Sequence, residues 1–149
     1  MTMEYGFWRT KPLAELSNDE WEALCDGCGK CCLNKLQDDV SDEIYYTRVA
    51  CKLLDVRHSR CSDYANRLNR VPDCVDLRSL PPEQYHWLPA TCAYRLVAEG
   101  KDLPSWHYLQ SGKRSLVHKA TCTVRGRAIS EESVHPDDLE DHIIRWVDR

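Results

Sequence analysis

The stretch Cys25-Asp-Gly-Cys-Gly-Lys-Cys-Cys32 decides the fold, because it places four of the chain's nine cysteines within eight consecutive residues. A Cys-x2-Cys turn brings two sulfur atoms to one metal ion, at about 2.3 Å from each in zinc sites. Gly27 and Gly29 can adopt the left-handed backbone conformation that turns amide groups toward a thiolate. We therefore predict a metal centre built on this stretch, called here the cysteine knuckle (residues 25–32).

The spacing of the cysteines in the knuckle indicates a metal site but does not identify the metal. Cys25, Cys28 and Cys31 have the spacing of the first three ligands in a bacterial ferredoxin run, which holds an iron–sulfur cluster. The fourth cysteine of such a run lies three residues further on and precedes a proline, whereas Cys32 is adjacent to Cys31 and precedes Leu33. Since adjacent side chains diverge, we expect Cys31 and Cys32 to serve different metals, or one of them to be structural. Zinc and an iron–sulfur centre both stay open at this stage.

Four cysteines that follow the knuckle are further candidate ligands. Eight thiols would satisfy two sites of four thiolates each, whereas four would hold one four-iron cluster and leave four structural thiols. One of the four, Cys61, is expected at a helix N-terminus, where the thiolate is favoured. His58 lies between two of them and is an alternative ligand. The four residues are Cys51, Cys61, Cys74 and Cys92.

The ninth cysteine, Cys122, has a different expected role. Apolar residues alternate from Leu116 to Val124, which predicts a strand with Cys122 on its apolar face. A lone cysteine in such a position is most often a small buried hydrophobic residue. We therefore expect Cys122 to pack in the core and leave metal binding to the other eight.

Composition places the chain among ordinary globular proteins. Its 149 residues are 42% hydrophobic and 30% charged, which favours one domain over residues 1–149. Residues 1–16 are interpreted as an N-terminal arm tied down by Phe7, Trp8 and Leu13. The net charge of −4 and the pI of about 5.8 argue against nucleic acid as a partner.

Cysteine usage also indicates the compartment. The count of nine is odd, and the first twelve residues contain no apolar signal-peptide core, unlike a secreted disulfide scaffold. No apolar run approaches the roughly 18 residues needed to span a bilayer, so no membrane association is expected. We therefore expect a cytoplasmic protein, in which clustered thiols are metal ligands or redox groups.

Local patterns predict an α+β fold with a few strands and irregular loops stapled by metal. Ser17 and Glu20 have the spacing of a capping box, and Trp21 and Leu24 follow on one helical face. The other predicted elements are extended structure over Glu43–Leu54, helices over Ser62–Pro72 and Pro89–Gly100, and an amphipathic C-terminal helix over Pro136–Val147.

Catalytic signatures are absent from the sequence. We find no Gly-rich phosphate loop, no paired-carboxylate pattern and no nucleophile elbow. The leading hypothesis is therefore a metal-binding protein that holds zinc or iron without turnover. Two alternatives are an iron–sulfur redox or maturation protein, and a thiol redox enzyme or sensor in which Cys31 and Cys32 exchange disulfides.

The cysteine pattern resembles the CxxCxxCC cysteine-cluster proteins, the YkgJ-type zinc- or iron-chelating family. The resemblance rests on the knuckle, on Cys51-Lys-Leu-Leu-Asp55, on Arg60-Cys-Ser-Asp-Tyr-Ala-Asn-Arg67 and on Cys74. The segments Trp87-Leu-Pro-Ala-Thr-Cys-Ala-Tyr-Arg95 and Gly100 to Gly112 are similar to its YcgN-type bacterial branch.

The resemblance implies a metal chelator of unassigned biochemical role. A similar module accompanies a flagellin lysine methylase, which favours an iron–sulfur centre. The commoner family form has an Arg-Pro and a Cys-Arg pair after the cysteine equivalent to Cys61. Here additional residues precede Cys74, and Val75 follows it, so the resemblance carries over to Cys74 less directly than to the knuckle.

Overall fold

The computed structural model describes residues 5–71, 74, 76–119 and 123–147. It confirms the α+β class, with short helices and short strands. The α-helices are α1 (Phe7–Thr10), α2 (Asn18–Ala23), α3 (Arg67–Arg70), α4 (Ala93–Ala98), α5 (Tyr108–Ser111) and α6 (Leu116–Lys119). The strands are β1 (Leu33–Gln37), β2 (Ile44–Ala50), β3 (Leu54–Asp55), β4 (Arg60–Cys61) and β5 (Ile129–Ser130). Several 3-10 turns join these elements, and no helix in the described ranges is long and apolar enough to cross a bilayer.

Two small sheets flank the cysteine knuckle. The larger has the order β1-β2-β5, with β1 antiparallel to β2 and β5 parallel to it. The smaller is the β3–β4 hairpin, in which Leu54 pairs with Cys61. The knuckle runs directly into β1, and the Cys51 amide at the end of β2 donates to the Cys32 carbonyl at 2.8 Å. The sheets therefore bring the knuckle close to Cys51 and Cys61.

The apolar interior has two clusters, one among the helices and one against the larger sheet. Phe7, Trp8 and Leu13 lie in the helical cluster, so the residues expected to tie down the N-terminal segment are core residues. Trp21 and Leu24 are buried beside them, as the predicted helix face required. The capping box is also confirmed, because the side chains of Ser17 and Glu20 each accept from the other residue's backbone amide.

The strand predicted over Leu116–Val124 is wrong at its start. Leu116–Lys119 forms the helical turn α6, which buries Val117, a residue that the strand pattern had placed on the opposite face. Val124 is fully buried and donates its amide to the Cys28 carbonyl at 2.9 Å. Cys122 lies outside the described residues, so its packing role stays a prediction.

The predicted C-terminal α-helix is wrong. A 3-10 segment forms at its start, and the chain is extended after it. That segment covers Pro136–His142, and Ile143 then forms an antiparallel bridge with Thr47. Because β5 covers only Val49 and Ala50, the same edge of β2 is open at Thr47. The β-branched Ile143 occupies this edge, which explains why the helix does not continue.

Two other predicted helices are shorter than expected. A 3-10 turn over Tyr64–Asn66 leads into α3, and Cys61 lies in β4 before that turn, not at a helix N-terminus. Helix α4 begins at Ala93, with Cys92 at its N-cap, and Pro89 lies one turn upstream. The corrected bounds place both cysteines at the ends of elements, where their side chains can face other segments.

Candidate metal centre

The knuckle backbone turns at its two glycines, as predicted. Gly27 and Gly29 have φ angles of 78° and 74°, and a 3-10 turn over Lys30–Cys32 follows. A Cβ atom at Gly29 would lie 2.6 Å from Ser59 Oγ and 2.7 Å from Val124 Cγ2. Only glycine fits this position, because both the conformation and the space exclude a side chain.

Segments distant in sequence hold the knuckle in place. The Ser59 hydroxyl in the β3–β4 turn donates to the Gly27 carbonyl at 2.7 Å, and Ser59 is 1% exposed. The Val124 amide donates to the Cys28 carbonyl at 2.9 Å. Together with the bond from Cys51 to Cys32, these contacts fix the knuckle from several directions.

The eight described cysteines, all of them free thiols, can be sorted into two groups by the neighbouring charges that act on each thiol. The first group contains Cys25, Cys28, Cys31 and Cys92, whose charges act on one another. The second contains Cys32, Cys51, Cys61 and Cys74, because Cys51 and Cys61 act on both Cys32 and Cys74. Cys31 also acts on Cys32 and Cys74, so it borders the second group. The Cys31 and Cys32 side chains are hydrogen-bonded to each other, and their assignment to different metals stays a prediction. Cys92 is assigned to the first group because its charge acts on Cys25 and Cys28 from the N-cap position of α4.

The two groups meet at the consecutive residues Cys31 and Cys32. A hydrogen bond from the Cys32 thiol lowers the pKa of Cys31 to about 7, against the effect of burial, and Lys35 contributes to the lowering. The same hydrogen bond, together with burial, raises the pKa of Cys32. The Cys31 and Cys32 side chains thus lie within hydrogen-bond distance at this junction.

A cavity of about 900 Å³ opens between the thiols. Its lining includes aromatic and cationic side chains, among them Trp21, Tyr94, Lys35 and Arg67. The Trp21 and Tyr94 rings contact each other at a centroid distance of 4.6 Å. Six thiols line the cavity, those of Cys25, Cys31, Cys32, Cys51, Cys61 and Cys74.

Metal ligation at these thiols requires loss of protons. Burial raises the pKa of Cys28 well above its ordinary value and that of Cys92 to about 12. Burial among protein atoms also raises the pKa of Cys25. The exposed part of its side chain lines the cavity. Since thiolates are the metal-binding form, binding must release protons and become tighter as pH rises.

The thiols lie near one another but do not converge on a single position. Among residues 5–71, 74, 76–119 and 123–147, no three Cys, His, Asp or Glu side chains already surround a position for a single ion. The imidazole of His58 is exposed and pairs with Asp55 at 2.7 Å, so the structure does not bring it to the thiols.

Sequence reasoning missed two polar residues in this region. Asp26 Oδ1 accepts from the Cys28 amide at 3.0 Å, while its buried Oδ2 has no partner among the described residues. Burial raises the pKa of this carboxyl group. His107 is fully buried, and its Nε2 lies 2.8 Å from the Leu24 carbonyl oxygen. Asp26 could have been noticed from its place inside the knuckle, whereas no sequence signal marks His107.

Comparison with known proteins places the chain in a family. The family model CxxCxxCC, described as "Putative zinc- or iron-chelating domain", matches residues 24–93. A UPF0260 protein of Pseudomonas putida strain KT2440 is 57% identical over 138 residues, which cover 93% of this chain and 92% of the relative. The chain belongs to the CxxCxxCC family.

Other relatives match this CxxCxxCC protein over a similar share of its length. A UPF0260 protein of Ectopseudomonas mendocina strain ymp is 56% identical, and one of Pseudomonas aeruginosa strain PAO1 is 54% identical. Each match covers 93% of both chains. No solved structure matches the chain. The family description supports metal binding and leaves the choice between zinc and iron open.

Proposed function

We propose that this CxxCxxCC protein binds iron–sulfur clusters in two adjacent centres. The first centre would use Cys25, Cys28, Cys31 and Cys92. The second would use Cys32, Cys51, Cys61 and Cys74. The observation that carries the proposal is the cavity of about 900 Å³ that six of these thiols line.

The size of the cavity favours a cluster over a single ion. Four thiolates around one zinc ion lie about 2.3 Å from it and close tightly on it. A four-iron cluster inserts eight inorganic atoms between its thiolates, so it needs open space among them. Thiolate donors suit both zinc and iron–sulfur clusters, and room between the donors is what distinguishes the two.

The residues around the thiols fit an anionic cluster. Lys35 and Arg67 line the cavity, and the positive charge of Arg67 acts on the Cys74 thiol. The Arg67 guanidinium is stacked on the Tyr64 ring at 3.9 Å. When bound, the cluster would supply one-electron transfer, while these side chains would offset its negative charge and limit its contact with water.

Anaerobic purification followed by iron, zinc and acid-labile sulfide analysis tests the proposal. Two four-iron centres predict about eight irons and about eight sulfides per chain, with broad absorbance near ~400 nm. As a matched control, the same preparation after exposure to air and chelator should lose iron, sulfide and absorbance together. Stoichiometric zinc with no sulfide and a featureless visible spectrum would contradict the cluster and favour a zinc-binding protein.

A further inference from the structure

Lys35 has an unusual position for a lysine of a short strand. Its Nζ donates to the carbonyl oxygens of Cys31 at 2.9 Å and Leu33 at 2.7 Å. The ammonium also lies over the Tyr46 ring at 4.9 Å and the Trp87 ring at 5.2 Å. An ammonium group has three N–H donors, so two are used by carbonyl groups and one is left for the cavity that Lys35 lines.

The charge of Lys35 acts where the two thiol groups meet. It interacts with Cys31 and Cys28 of the first group and with Cys32 of the second. Carbonyl oxygens and aromatic faces both favour the cationic form, so four contacts hold the charge in one place.

The other charged side chains near the thiols interact with other partners. Lys30 is buried and donates to Thr91 Oγ1 at 3.2 Å. Glu131, an acidic residue in the cavity lining, accepts from the Asn34 amide at 3.2 Å. Arg67 acts on Cys74, at the far end of the second group in sequence. Among the described residues, Lys35 thus donates to the Cys31 carbonyl, and its charge acts on the thiols of both Cys31 and Cys32.

We propose that Lys35 is a positioning residue whose fixed positive charge stabilises bound metal at the junction between the two thiol groups. This inference rests on the proposed metal binding. Thiolates with bound metal carry net negative charge, and an added electron increases it. A cation held nearby favours both metal binding and the reduced state, because the buried site screens charges weakly.

The test compares Lys35→Gln, which keeps N–H donors and removes the charge, with Lys35→Arg, which keeps the charge. Lys101→Met is the matched control, since Lys101 is exposed and pairs with Glu99 away from the thiols. In iron-loaded protein, potentiometric titration with dithionite as reductant measures the fraction reduced. We expect the ratio of reduced to oxidised centres at a fixed potential to fall about tenfold in Lys35→Gln, which equals 59 mV for one electron.

Metal affinity gives a second readout that does not depend on iron. If the purified protein holds zinc, the cluster proposal fails, and chelator competition then measures zinc affinity in the same variants. We expect weaker binding in Lys35→Gln, and near-normal binding in Lys35→Arg and Lys101→Met. Circular dichroism checks that each variant is folded. Folded Lys35→Gln with unchanged potential, or with unchanged zinc affinity, would overturn the role of Lys35.

Discussion

Gly29 is the residue at which the knuckle tolerates least change. Replacing it with alanine imposes a left-handed conformation on a non-glycine residue, at a cost of about 1–2 kcal/mol. The added Cβ also collides with Ser59 and Val124, which lie within 2.7 Å of it. We expect Gly29→Ala to lower the free energy of unfolding by about 3 kcal/mol or more in denaturant titration.

Gly112→Ala is the control for this substitution. Gly112 has a φ of 77°, similar to that of Gly29, and a Cβ there meets nothing within 4 Å. It should therefore show the conformational cost alone, about 1–2 kcal/mol. Equal losses in the two variants would mean that close packing against Ser59 and Val124 is unimportant.

Individual residues were predictable where their role depends on neighbours in sequence. The capping box of Ser17 and Glu20 and the left-handed Gly27 and Gly29 follow from local backbone chemistry. Lys35 was not predictable, because its role comes from aromatic rings and thiols that only the folded chain brings to it.

The β3–β4 hairpin is the element that fastens the knuckle. Removing the Ser59 hydroxyl leaves the Gly27 carbonyl without the bond it receives at 2.7 Å. We expect Ser59→Ala to cost about 1–2 kcal/mol of stability, measured by denaturant titration. We also expect faster metal loss to a chelator, because the knuckle would be held less firmly.

Ser62→Ala is the matched control for Ser59→Ala. Ser62 lies just after β4, and its side chain is exposed. Its replacement should change neither stability nor the rate of metal loss measurably. A Ser59→Ala protein that behaves like the control would show that the hairpin does not fasten the knuckle.

Elements were predicted well where sequence pattern and tertiary contacts agree. Strand β2 lies within the extended region expected over Glu43–Leu54. The C-terminal helix failed because Ile143 fills an open edge of β2, a long-range effect that helical periodicity does not show. The strand expected from Leu116 failed because a helical turn buries Val117 instead.

Across the whole molecule, the cysteine knuckle lies beside the smaller of the two apolar clusters. Among the described residues, the sheet-side apolar cluster has five buried members, with partly buried residues packed against them. We therefore expect bound metal to supply part of the stability around the knuckle. Thiolate–metal binding can contribute ~10 kcal/mol or more to a small domain. The helical cluster around Phe7 and Tyr85 has its own buried contacts and depends less on metal.

Metal removal should therefore loosen the molecule unevenly. After anaerobic chelation, we expect amide hydrogen exchange to rise most in the knuckle and in the β3–β4 hairpin. Exchange in α1, whose Phe7 and Trp8 pack in the helical cluster, should rise less. Unchanged protection and an unchanged melting temperature in the metal-free protein would contradict a structural role for the metal.

The eight thiols that we propose as ligands stand out in the sequence, whereas their grouping could be predicted only in part. The three-residue period of Cys25, Cys28 and Cys31 anticipated one group, and the adjacency of Cys32 anticipated a second. The place of Cys92 was not predictable, because it depends on where α4 begins and how that helix packs against the knuckle.

The most direct test of the two-centre account is the metal content of Cys31→Ser and Cys32→Ser, purified anaerobically beside the unmodified protein. The two residues are adjacent and chemically identical, yet they belong to different thiol groups. The account predicts that each variant retains about half of the metal, with the first centre lost in Cys31→Ser and the second in Cys32→Ser. Complete loss in both variants, or full retention in both, would contradict it.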